Sequence, residues 1–326
     1  MISSLRMKDK ASAVPGSFFK KGACPYGPLY IYYFDGIVRD EIPASDKTFL
    51  GNWKEDKASF LFFSRPAQKT VDALLAKRPD LRLIDHFYLD YTHWQGTDLA
   101  PFQIGPLRVV PYWFHKDAPE TPMDAPQTLV LDPGLVFGSG AHPTTLDCLK
   151  LLVSLLAQEQ FHTVMDLGSG TGILAIAAVK LGCRCAVAVD LNPLAAATAQ
   201  KNIRRNGMES KILAIQGDAK DFIDGPADLV IANIHYDALR HLLNAAGLNQ
   251  KRWVLVSGLM RSDARTVADA LPARGFDVVE SRNHKGIWFS YLAKNRMPSL
   301  DRGAPRFRAG GLHIKARIRE AKRSMG

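Results

Sequence analysis

Val164-Met165-Asp166-Leu167-Gly168-Ser169-Gly170-Thr171-Gly172 joins an apolar run to a tight glycine turn that opens straight into a helix-like segment near Ile173. Asp166 lies two residues before Gly168. Glycines are needed where a backbone must turn this sharply and come within contact distance of a ligand. The spacing is G-x-G-x-G, which separates the turn from the G-x-G-x-x-G of dinucleotide-binding folds. Alone, such a turn is a weak sign of a nucleotide-like ligand, so its surroundings decide.

Working outward, apolar runs at 163–166, 185–190, 212–216, 229–233 and 254–257 alternate with helical stretches at 145–156, 173–181, 195–205, 236–246 and 263–273. Strands alternating with helices of about 10–15 residues imply βαβ units and a parallel sheet. Gly182 and Asn206-Gly207 fall just past two of the helices, where left-handed caps are expected. The rhythm changes at the end: 276–280 and 287–293 flank Asn283-His284-Lys285-Gly286, a hairpin signal. Before residue 115 the pattern is a small α+β unit, with strands at 29–34, 59–63, 83–91 and 107–111 and a helix at 68–77. Pro119, Pro122 and Pro126 mark 116–126 as a linker. The expected organisation is therefore an α+β unit at 1–115, a linker at 116–126, a doubly wound α/β domain at 127–295 and a basic tail at 296–326.

With 47 % hydrophobic and 23 % charged residues, the composition is that of an ordinary globular protein. No apolar run reaches the roughly 20 residues of a membrane span, and Met1–Lys21 has no apolar core of the signal-peptide kind. A cytoplasmic protein is expected. The four cysteines form no disulfide framework, and Cys183-x-Cys185 reads as packing thiols rather than a metal site. Of the net charge of +10, residues 296–326 carry +7, nine Lys or Arg against Asp301 and Glu320. Residues 312–325 place Ile314, Ile318, Ala321 and Met325 on one helix face. Such a tail suits RNA phosphates or another anionic surface, or stays solvated.

Four positions carry chemistry around the glycine turn. Asp190 ends the second strand, 18 residues after Gly172, placed to accept hydrogen bonds from both ribose hydroxyls of an adenosine; a helix N-cap is its alternative. Asp218, after the third strand, faces an adenine amino group or serves as a loop cap. Asn233 ends the fourth strand, where its carbonyl oxygen can hold an incoming amine. His235 follows it, as a base or as a structural residue.

The glycine turn and these acids resemble the first motifs of class I methyltransferases. Leu131-Asp132-Pro133-Gly134-Leu135-Val136-Phe137-Gly138-Ser139-Gly140-Ala141-His142-Pro143-Thr144-Thr145 is similar to the loop preceding that fold in the ribosomal protein L-eleven methyltransferases, the PrmA type. The likeness continues at Ala232-Asn233-Ile234, Ser257-Gly258-Leu259 and Trp288, and upstream through Trp94, 101–105, Pro111 and Trp113. It covers roughly 94–294. It implies a Rossmann-like doubly wound sheet closed by an antiparallel hairpin, and S-adenosyl-L-methionine as cofactor. Asp166, Gly168, Gly170, Gly172, Thr145, Asp190, Asp218 and Asn233 would bind it, with Phe137 and Gly138 lining the pocket. Thr144 and Thr145 also read as caps of the helix after Pro143.

The implied activity is protein N-methylation of lysine or other amino groups on a ribosomal protein of the large subunit. Asn233 would be the catalytic residue, orienting a neutral amine in line with an already activated methyl group, with Phe137 and Tyr236 as walls and no dedicated base. Ser139, Ala141 and Ser169 are mild departures from the family pattern, His235 replaces a usual leucine, and residues 1–90 do not match its substrate-recognition domain. Alternatives are a methyltransferase of another protein's lysine, an RNA or amide methyltransferase, and a non-catalytic ribosome-assembly factor. The RNA or amide enzymes carry Asn/Asp-Pro-Pro-Tyr at this strand end, and Ile234-His235 supplies neither proline.

Overall fold

The computed structural model describes residues 24–39, 41–43, 45–55, 57–96, 99–114 and 127–297. The expected linker and the expected tail helix lie outside them. Seven strands form the main sheet: β8 (Thr163–Leu167), β9 (Cys185–Asp190), β10 (Ile212–Gln216), β11 (Leu229–Asn233), β12 (Trp253–Leu259), β13 (Phe276–His284) and β14 (Trp288–Asn295). Their order is β10-β9-β8-β11-β12-β14-β13, parallel through β12 and antiparallel at β14 and β13. The hairpin turns at Lys285 and Gly286, both with left-handed φ (54° and 68°), the geometry that matches the twist of the flanking strands.

Because consecutive strand residues face opposite sides, the sheet has two apolar faces. Val164 and Ile231 pack with α3 (Pro143–Leu156) and α4 (Ile173–Lys180), whereas Met165, Leu167 and Val230 pack with α6 (Tyr236–Asn244) and α7 (Arg261–Ala273). Helix α5 (Pro193–Arg205) contributes Ile203 to the first face. This is the expected doubly wound architecture with a terminal hairpin. Asp166 shares a face with Val164, so its carboxylate points at α4 rather than at the crevice above the strands.

The first unit is an antiparallel sheet of β1 (Leu29–Asp35), β2 (Phe49–Glu55), β3 (Ala58–Phe63) and β4 (Arg82–Leu89), in the order β2-β3-β1-β4. Helix α1 (Gln68–Lys77) buries Val71 and Leu74 against Tyr32, Phe34, Leu61 and Phe63. The opposite face, with Leu29, Ile31 and Phe62, packs on Trp113, Phe114 and Leu135. Tyr91, in that same cluster, opens a short helix α2 (Tyr91–Gln95). β5 (Phe102–Ile104) and β6 (Leu107–Pro111) form a hairpin, and β6 pairs in parallel with β7 (Gln127–Leu131). Leu107, Val109, Leu129 and Leu131 join the α3–α4 core, so strands on both sides of 115–126 share one interior.

β12 and β14 are joined inside by the Ser257 and Ser290 hydroxyls, 2.6 Å apart and both fully buried. Ser257→Ala leaves the Ser290 hydroxyl buried without that partner, which costs on the order of 1–3 kcal/mol. Denaturant titration should show the Ser257→Ala/Ser290→Ala double variant losing less than the two single losses combined.

Candidate active site

The chain runs outward from β8 to β9 and β10, then returns to β11 on the other side of β8. That reversal opens a crevice at the carboxyl ends of β8 and β11, where ligands bind in open α/β sheets. The glycine turn fills its floor. Gly168 and Ser169 donate backbone N–H groups to the Val189 carbonyl at 2.8 and 3.0 Å. Gly168, Gly170 and Gly172 all have left-handed φ (77°, 53° and 79°). A Cβ on Gly168 would lie 2.1 Å from Ile234 Cγ2, and one on Gly170 would lie 2.3 Å from the Phe137 carbonyl oxygen. Only glycine meets both demands at these two positions.

The loop before α3 is strapped onto this turn. Thr171 donates its backbone N–H to Phe137 O (3.1 Å) and its hydroxyl to Gly138 O (2.6 Å). Phe137 and Gly138 therefore sit against the turn, with the Phe137 ring 40 % exposed above it. Asp190 accepts from Gly170 N (2.8 Å) and from Asn192 N (2.9 Å). It is not the cap of α5; Asn192 is, accepting from Leu194 N. Burial raises the Asp190 pKa, and the two N–H donors oppose that rise.

Capping of α3 is the second reading of Thr144 and Thr145, beside the cofactor role of Thr145. The helix instead begins at Pro143, with the His142 ring nitrogen Nδ1 as the cap, accepting from Thr144 N at 3.4 Å and lying 2.8 Å from the Thr144 hydroxyl. Proline at the first helical position leaves the capping role to the residue before it. The His142 ring lies 5.1 Å from Phe137 and 5.0 Å from Trp288, edge to face with both. Burial holds its pKa down at about 4, with His284 adding to the effect, so it remains neutral and able to accept. Thr145, released from capping and 1 % exposed, accepts from Asn233 Nδ2 at 3.5 Å. The other end of that amide, Asn233 Oδ1, is buried without a partner. Gly258, across from it, has φ 84°, and a Cβ there would lie 3.3 Å from this oxygen.

The remaining expected residues divide. Asp166 is 1 % exposed and anchors the first turn of α4 by accepting from Ala175 N (3.1 Å), while its Oδ1 has no partner. Asp218 starts a 3-10 turn at 219–221, accepting from Lys220 N and pairing with Lys220 Nζ at 2.8 Å, so its contacts are those of a cap. His235 is exposed at the start of α6 and makes no side-chain capping bond. Tyr236 packs against the α6–α7 core. The His142–Trp288 contact was not anticipated, since it joins residues of the loop and the hairpin 146 positions apart.

Of the seven buried side-chain polar atoms without a partner among the described residues, three belong to residues around this crevice: Ser169 Oγ, Asn192 Nδ2 and Asn233 Oδ1. Buried polar groups of proteins are normally satisfied, so this concentration, over a glycine cradle and next to an acid at the second strand tip, fits a polar adenosyl ligand such as S-adenosyl-L-methionine.

Sheet order, hairpin and crevice define a class I methyltransferase fold. The family model described as "Ribosomal protein L11 methyltransferase (PrmA)" matches residues 75–296, and the chain belongs to that family. A ribosomal protein L11 methyltransferase of Pelotomaculum thermopropionicum is 40 % identical over 190 residues, 58 % of this chain and 59 % of that protein. One from Clostridium botulinum is 38 % identical over 176 residues, 53 % and 55 % of the two chains. The crystal structure of a ribosomal protein L11 methylase from Lactobacillus delbrueckii subsp. bulgaricus superposes with a TM-score of 0.50 at 28 % identity, over 59 % of this chain and 94 % of that one. The chain thus spans under two thirds of the length of the two named relatives.

Gly170→Ala should cost at least about 2 kcal/mol in denaturant titrations, because a left-handed φ and a backbone clash act together. A second expectation concerns pH. Burial, with the Asp190 charge adding, lifts the Asp166 pKa to about 7, against roughly 3.9 in an unfolded chain. The folded carboxyl keeps its proton longer, so its stabilising contribution is complete below pH ~4 and is lost as pH rises through 7. Asp166→Asn should therefore flatten the decline in unfolding free energy between pH 5 and pH 8; a decline as steep as that of the parent chain would contradict it.

Proposed function

We propose that the chain transfers methyl groups from S-adenosyl-L-methionine to amino groups of ribosomal protein L11, lysine side chains among them. The observation that carries this reading is the Asn233 amide. Its nitrogen is engaged by Thr145, and its oxygen is buried and unpaired at the tip of β11. When bound, the cofactor supplies a methyl group already activated by its sulfonium. The chain's task is then to position and desolvate. Asp190 has used one lone pair on each carboxylate oxygen, and the others remain for ribose hydroxyls. The glycine turn and the Phe137–Gly138 backbone provide the cradle, whereas Asp218 is engaged as a cap by Lys220.

Asn233 Oδ1 accepts an N–H of the acceptor amine and so aims its lone pair at the methyl group. Phe137, His142 and Trp288 keep that approach dry, which lowers the pKa of an entering ammonium. No carboxylate is needed as a base. Membership of the family and the identities of 38–40 % to ribosomal protein L11 methyltransferases support L11 as the acceptor. Contact of the tail at 296–326 with rRNA, supported by its charge of +7, belongs to the same reading. So does action in the cytoplasm, which accords with the absence of any helix among the described residues long and apolar enough to cross a membrane.

The test is label transfer from tritiated methyl-S-adenosylmethionine to purified L11 and to a lysate lacking this gene, with protease and ribonuclease digestion in parallel. Label confined to L11 supports the proposal. Label in RNA or in another protein overturns the acceptor, and binding without transfer favours an assembly factor. Asn233→Ala should lower kcat about 10²-fold; full turnover would remove its assigned role.

A further inference from the structure

Helix α5 carries two asparagines one turn apart, and both reach β7 and the loop that follows it. Asn206 accepts from Val130 N (3.0 Å) and donates to Val130 O (2.7 Å). Asn202 accepts from Asp132 N (2.8 Å) and donates to Asp132 O (2.9 Å). Residues i and i+4 of a helix lie about 6 Å apart, close to the spacing of residues i and i+2 of a strand. Two side-chain amides thus act as the missing neighbour strand. Asn202 goes further: its remaining donor reaches Thr171 O at 2.9 Å, inside the glycine turn. Its side chain is fully buried with every donor used.

Asp132 is also held from the other side. The Tyr26 hydroxyl donates to Asp132 Oδ1 at 2.6 Å, and Arg205 pairs with Oδ2 at 2.9 Å. Burial and the Asp132 carboxylate both raise the Tyr26 pKa far above its ordinary value, so the phenol remains a donor. The Tyr26 ring stacks on Tyr91 at 4.4 Å, and Tyr91 OH donates to Gly134 O at 2.7 Å. An unbroken hydrogen-bond path therefore runs from Tyr26 through Asp132, Asn202 and Thr171 to Gly138, which lines the crevice. Tyr26 precedes the residues that the family model matches.

We propose that Asn202 and Tyr26 are positioning residues for the cofactor site: Asn202 ties the 130–138 loop to the glycine turn, and Tyr26 carries the first unit's hold on that tie. The proposal rests on the reading of the crevice as an S-adenosylmethionine site. Neither residue touches the acceptor, so the effect falls on cofactor affinity rather than on the chemical step.

The experiment measures S-adenosylhomocysteine binding by calorimetry, together with KM for S-adenosylmethionine and kcat at saturation, for the full chain and for Tyr26→Phe, Asn202→Asp and their double variant. Tyr26→Phe should raise Kd and KM about tenfold with kcat within about twofold. Asn202→Asp sets a carboxylate against two carbonyl oxygens and should raise Kd further. The double variant should bind little worse than Asn202→Asp alone, because both act along one path. Tyr88→Phe, on exposed β4, should bind as the parent does. If Asn202→Asp fails to fold, Tyr26→Phe and Tyr91→Phe, each removing one hydroxyl bond to the loop, decide the matter. A Tyr26→Phe chain with a lower Tm and unchanged Kd would make the contact merely structural and overturn the proposal. A parent chain that binds no S-adenosylhomocysteine would instead remove the reading of the site.

Discussion

At the carboxyl edge of the sheet the glycine turn lies so close to two other segments that a Cβ at Gly168 or Gly170 would run into them. Gly170 lies under the Phe137 carbonyl, and Gly168 lies under Ile234. The first contact brings the loop before α3 onto the glycine turn; the second brings the end of β11 onto it. Phe137, Gly138 and Asn233 reach the same crevice because of these two approaches. A methyl group at Gly170 would meet the Phe137 backbone carbonyl, and one at Gly168 would meet the Ile234 side chain, each at a left-handed φ.

The close approach has an electrostatic consequence. Asp166 and Asp190 end up buried near each other, and burial raises both pKa values. The two differ in what they have to do. Asp166 gives one oxygen to the first turn of α4, where the unpaired N–H groups of a helix favour an acceptor. Asp190 divides its oxygens between the turn and the start of α5, and keeps lone pairs free toward the crevice. Both glycine-turn acids therefore organise backbone first, and only the second is left able to meet a ligand as well.

The parallel sheet, its helices and the closing hairpin were legible because each announces itself locally: a buried apolar strand, a glycine where φ turns positive, a helix of three turns. What was not legible lacked a local cause. β2 has no alternation, all but its last residue being half-buried, so period-2 reasoning finds nothing there. β7 was passed over although Leu129, Val130 and Leu131 are apolar, since its outer neighbours are asparagine side chains 70 and 76 positions away. Of the two readings of Thr144 and Thr145, the cap does not hold: threonines favour caps, but Pro143 fixes the start of the helix and leaves the cap to His142. Asp190, the glycines and Asn233 were found at the expected strand ends, whereas Asn202 looks like any polar residue on a solvated helix face.

The boundary between the two units is less a hinge than the sequence pattern suggests. β4 falls within the stretch that the family model matches, and β1, its full-length antiparallel partner, falls outside it. Residues 75–296 thus include a strand whose hydrogen bonds and apolar face are completed only by residues 29–35. The backbone of residues 29–35 pairs with β4, and the inner face of this sheet covers Trp113 and Leu135. At the outer edge of this sheet β4 leaves Ile84 and Tyr88 42 % and 59 % exposed. Tyr26 and Tyr91, turned inward onto Asp132 and Gly134, keep the first unit bound to the loop that shapes the crevice.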